Sequence, residues 1–244
     1  MSQRREFLRQ ASLLAAGTVA AGAVSPLAAE GASIEGASIE GAPIEGALTE
    51  GADLPQAQQA TWDMSWTDRI TGKYRMCFDA HEISDGVCLH QARSFIAGNA
   101  TVFGLKDSDV SAVLVIRHAA VPMVMKDILW ADGWLGTETS LKDPETGEPT
   151  KRNPFVNVPA GARFGLTWPD GALDTLIGRG VIVLACDLAL NNYVGRFANQ
   201  RKIPRTDARA LVMDNLIPGI YKMPTGVFAT CHAQQLGCGV LNAV

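Results

Sequence analysis

Two uninterrupted apolar pentads, Ala112–Ile116 (Ala-Val-Leu-Val-Ile) and Val181–Ala185 (Val-Ile-Val-Leu-Ala), set the strongest limit on what this chain can fold into. Strands without polar alternation are buried on both sides, and sheets buried on both faces are typically parallel. Segments of helical period lie between such runs, and this order of elements predicts an α/β fold: a parallel sheet of four to five strands with helices on both faces.

The remaining elements follow from local signals. A first strand is expected over Tyr74–Phe78, then a helix opening near Ser84-Asp85 whose Cys88, Ala92, Phe95 and Ile96 form one apolar stripe. Pro122 suits the first turn of a helix running to about Ala131. Further helices are expected over Asp170–Ile177, from Asp187 to about Ala198, and over Asp207–Asp214. Pro218–Met223 reads as a short strand or loop. Thr225 caps a helix to Leu236, Gly237 ends it, and Gly239–Leu241 gives a last strand. Residues 133–169 interrupt this rhythm. Their length and their Trp134, Phe155 and Trp168 predict a segment covering a crevice or an oligomer contact.

Before the fold begins, the chain has a different character. Arg4-Arg5 and Phe7-Leu8 precede an uncharged stretch, Ala11 to Ala29, that is diluted by Gly and Ser and ends in small residues. This is the pattern of a cleavable twin-arginine export signal over residues 1–29, which predicts delivery to the periplasm and no stable membrane association after cleavage. Residues 30–53 repeat a Glu-Gly-Ala unit every five residues, a period matching neither a helix face nor a strand face, and read as an acidic disordered linker. A single domain is then expected over 54–244, enough chain for one core.

Charge narrows the function. The chain holds 21 basic and 25 acidic residues, and residues 1–53 account for three of the former and seven of the latter, leaving 18 of each in the folded part. A neutral domain has no global field for nucleic acid. The five cysteines are too few for a disulfide scaffold, and their odd number leaves at least one thiol free. No Cys-x-x-Cys, Gly-x-Gly-x-x-Gly, Gly-Lys-Ser or Gly-x-Ser-x-Gly motif occurs, and no resident cofactor or metal is implied.

In open α/β sheets the working crevice lies beyond the carboxyl ends of the strands. That rule selects Asp79 and His81, Arg117 and His118, Cys186 and Asp187, and Thr225. Cys186 stands at a strand-to-helix junction, where helix amides favour a thiolate, and is expected to be the most reactive of the five thiols. The same position suits a small buried residue closing a core strand. His118 is a candidate proton partner for Cys186 or a helix cap. Arg117 could clamp an anion or form an ion pair with Asp79 or Asp127. Asp187 and Thr225 complete the set of candidate ligand contacts, and Asp187 would oppose a thiolate beside it. Cys77 and Cys88 belong to the core.

Gly178-Arg179-Gly180 leading into Val181–Cys186, the tail Ile217-Pro218-Gly219-Ile220, then Pro224-Thr225-Gly226-Val227 and Gln234-Gln235-Leu236-Gly237-Cys238 together resemble the DsrE/DsrF-like family, in its exported branch. The resemblance spans roughly residues 70–244 and implies a flavodoxin-like sandwich, frequent homo-oligomers, and a persulfide-carrying cysteine after a central strand, which Cys186 matches by position. The export signal and the 133–169 insertion depart from the sulfur-relay members. Two functions are therefore in play: a periplasmic thiol or persulfide carrier using Cys186, and a non-enzymatic module binding a small ligand or metal. A structural oligomer subunit is the third possibility.

Overall fold

The computed structural model describes residues 62–244, so the signal and linker expectations lie outside the described residues. Five strands form one sheet: β1 (Tyr74–Ala80), β2 (Val110–Ile116), β3 (Ile182–Cys186), β4 (Ile220–Met223) and β5 (Gly239–Asn242). All neighbours are parallel, in the order β4-β3-β2-β1-β5, and helices cover both faces, an α/β sandwich of the flavodoxin-like kind. The apolar pentads fall in β2 and β3, except that Val181 precedes β3, and these are the two strands whose residues are all buried.

The pleat divides each of these strands between two cores. Leu114 and Ile116 of β2 and Val183 and Ala185 of β3 face one core, which α1 (Val87–Phe103) and α4 (Asp187–Arg201) help to enclose. Val113 and Val115 of β2 and Ile182 and Leu184 of β3 face the other, closed by Ala229 and Ala233 of α6 (Gly226–Gln235) and by Trp66. Trp66 lies in a 3-10 helix over Ser65–Arg69 and is fully buried, its ring edge-on to His232 at 5.6 Å. That burial fits an anchor for the chain entering β1.

Chain order explains the unequal covering. The crossovers from β1 to β4 each add a strand on the same side of the sheet, and their helices share one face. After β4 the chain crosses to the far side of β1, and this return puts α6 on the opposite face.

Two expectations are corrected. The helix expected from Pro122 to Ala131 is instead a 3-10 helix over His118–Val124 with Pro122 inside it, followed by a second short one over Asp127–Leu129. Pro122 has no amide hydrogen for the bond that an α-helix would require inside its span. The insertion is no lid. Trp134 at the start of α2 (Trp134–Glu138) meets Phe197 of α4 at 4.6 Å, and Phe155 is fully buried. Asn153, 1% exposed, donates through Nδ2 to the carbonyls of Met123 and Met125. Its Oδ1 accepts the Phe155 amide, so one buried amide satisfies the irregular backbone on both sides.

The insertion also fixes the corner entering α1. Ser84, Asp85 and Gly86 all have positive φ, and a Cβ on Gly86 would lie 2.2 Å from Thr167 Oγ1. The α-helix consequently begins at Val87, later than the Ser84-Asp85 signal suggests. α3 (Leu173–Gly178) and α5 (Arg205–Asp214) start close to their expected positions.

Candidate functional site

The loops after β1 and β2 are clasped together. Arg117 donates its amide to Ala80 O at 2.9 Å and Ala119 donates to His81 O at 3.0 Å. This brings His81 and His118 to one rim above the carboxyl edge of the sheet. His118 takes φ 50°, a left-handed conformation costly for a residue with a side chain, where β2 turns into its 3-10 helix.

Opposite stands the β3–α4 junction. Cys186 ends β3 with extended φ and ψ and caps α4: its Sγ accepts the Ala189 amide at 3.4 Å. The helix positions the thiol at the positive end of its dipole. Between the two walls lies a cleft of about 370 Å³, with His81, Glu82 and His118 on one side and Cys186 with the α4 residues Ala189, Tyr193 and Arg196 on the other. Cys186 is 4% exposed and lines this cleft. His81 Nδ1 is buried without a hydrogen-bond partner.

Of the seven candidate residues, His81, His118 and Cys186 line the cleft, and Asp79, Arg117, Asp187 and Thr225 do not. Arg117 and Asp79 face each other in a bidentate pair, Nε to Oδ1 at 2.6 Å and Nη2 to Oδ2 at 2.9 Å. Hydrogen bonding to Asp79 holds the Arg117 guanidinium above its usual range, with a smaller contribution from the nearby Cys186 sulfur. Thr225 caps α6, its Oγ1 accepting the Phe228 amide at 3.1 Å. Asp187 accepts from Asn191 Nδ2 at 2.7 Å and pairs with Arg209 at 3.4 Å. The acid next to Cys186 is thus turned toward an arginine of α5, which offsets its charge.

Sequence reasoning missed the α4 wall. The signal was present: Cys186, Ala189, Tyr193 and Arg196 recur at spacings of three and four, one face of a helix that starts at the candidate cysteine. Burial pushes the Tyr193 hydroxyl up. Arg196 lies over the Tyr193 ring, 5.1 Å from its centre, and pairs with Glu138 of the insertion. No residue of 133–169 lines the cleft, so of the two coverings expected for this segment, a crevice or an oligomer contact, the first does not apply to this cleft.

The thiols sort by environment. Cys77 and Cys88 are buried, and burial pushes both up to about 12. Cys238 is raised by the same cause. Cys231 is exposed on α6, so it competes with Cys186 for any alkylating agent. Among the described residues no group of three His, Cys, Asp or Glu side chains is placed to hold a metal ion. No protein family, curated protein or solved structure matches this chain.

Proposed function

We propose that this is an exported, DsrE-like thiol protein that takes up sulfane sulfur on Cys186 and works in the periplasm after transport by the twin-arginine machinery. The observation that carries the proposal is the thiol capping α4 at the floor of a cleft whose other wall holds two histidines. A thiol at a helix N-terminus, open to a cleft, is the setting in which cysteines act as nucleophiles.

The chemistry is redox-neutral. Cys186 gives its proton to His118, and its thiolate attacks the terminal sulfur of an organic persulfide. One S–S bond forms to Cys186 as the donor's S–S bond breaks, and the donor leaves as a thiolate that receives the proton from His118. Cys186 then carries the persulfide.

Incubation with an organic persulfide followed by peptide mass spectrometry tests this. A gain of about 32 Da, one sulfur atom, is expected on the Cys186 peptide and is lost in Cys186→Ser. If Cys186 gains sulfur or alkyl label only after denaturation, the sulfur function is wrong and the cleft is a ligand-binding module.

A further inference from the structure

The cleft has length as well as depth. Cys186 and Arg196 lie ten residues apart on one helix face, about 15 Å along the axis. The Arg196 guanidinium leans back over Tyr193, the residue three before it, which shortens the span to roughly 10 Å. Tyr193 is 6% exposed and forms the wall between these two ends. The chemistry along the cleft therefore changes from a sulfur with histidines, through an aromatic wall, to a cation.

Arg196 is held but not spent. Its partner Glu138 belongs to the insertion, and both side chains are partly open to water, at 52% and 31% exposure. An exposed pair of this kind contributes little to stability and exchanges readily for another anion. The other cleft carboxylate, Glu82, follows β1 and forms no ion pair with Arg196, whose acidic partner is Glu138. It leaves the Arg196 end free to receive negative charge.

We infer that the cleft selects small sulfur compounds carrying a carboxylate, with the sulfur at Cys186 and the carboxylate on Arg196, which it takes from Glu138. This rests on the thiol function proposed above and adds a specificity-determining residue and a substrate class to it. A neutral or cationic sulfur donor has no group to exchange for Glu138, whereas a carboxylate offers the guanidinium an equivalent bidentate partner.

The experiment uses the mature protein in a Cys231→Ser background. Two disulfide reagents are compared at Cys186: 5,5′-dithiobis(2-nitrobenzoate), which bears a carboxylate on each ring, and neutral 4,4′-dithiodipyridine. The ratio of the two rates is expected to fall about tenfold in Arg196→Gln and to rise in Glu138→Gln, since removing the competing carboxylate frees the guanidinium. A ratio indifferent to both substitutions overturns the inference. So does a shift in the same direction in both variants, the mark of a structural disturbance.

A second measurement needs no reactive sulfur. Calorimetric binding of 5-thio-2-nitrobenzoate to Cys186→Ser protein is expected to weaken with Arg196→Gln and tighten with Glu138→Gln. Binding that ignores Arg196 sinks this inference. Arg196-dependent binding combined with a Cys186 inert to both reagents supports the carboxylate site while sinking the sulfur function.

Discussion

Cys186 and Thr225 perform the same backbone task at adjacent strand ends, yet the two junctions are built for different ends. Cys186 pairs in register with Met223, two residues before Thr225, and each capping side chain accepts the amide three residues on. Thr225 uses a hydroxyl, a preferred cap, at 3.1 Å. Cys186 uses a sulfur, a weak acceptor, at 3.4 Å. The β4–α6 junction is closed: a Cβ on Gly226 would lie 2.4 Å from Arg117 Cδ, and Arg117 is locked to Asp79. The β3–α4 junction opens into the cleft. A closed turn takes the cap that stabilises best, and an open turn can hold one that reacts.

The largest expected effect breaks the closed junction. Asp79→Ala strands Arg117 in a setting where both side chains are under one-fifth exposed, and a loss of about 3 kcal/mol is expected in urea denaturation. Gly226→Ala drives a methyl group into Arg117 and should lose about 2 kcal/mol by the same measurement. Thr225→Ala removes one cap bond and should lose about 1 kcal/mol. At the open junction Cys186→Ser should stay within about 0.5 kcal/mol of the parent, because serine is itself a good cap. Equal losses at Thr225 and Cys186 would erase the distinction between the two turns.

Thiol labelling sharpens it further. Iodoacetamide at neutral pH should modify Cys231 first and Cys186 next, leaving Cys77, Cys88 and Cys238 until the protein unfolds. Cys77 and Cys88 ionise at about 12 in the fold against an ordinary 9.0, so the unfolded chain holds fewer protons between these values. Their contribution to stability is intact below pH 9 and is lost as pH rises toward 12, which alkaline denaturation will register. Replacing Cys88 with Ala should flatten that decline.

The strands that carry the site were legible because burial on both faces writes itself as an unbroken apolar run, as in Ala112–Ile116 and Val181–Ala185. The junction at Cys186 followed from those runs. The segment after His118 was not legible: Pro122 signals a helix start wherever a turn is permitted, and whether the turn becomes 3-10 depends on distant partners such as Asn153. The insertion misled for a similar reason, since Trp134 and Phe155 announce burial without saying against what. Arg117 and Asp79 are placed by the sequence at the right edge of the sheet, and of the partners it leaves open to Arg117, an anion, Asp79 or Asp127, the structure selects Asp79.

The strand order also dictates the sequence of assembly. β2, β3 and β4 can each dock on the outer edge of the strand made just before, so the sheet can grow as the chain leaves the ribosome. β1 is the exception, since its second edge waits for β5. From the synthesis of Ala80 until Gly239 emerges, that edge is an open template for pairing with the wrong strand. Along β1 the nascent protein thus waits longest for its native partner, and a chaperone that shields exposed strand edges would find its target there.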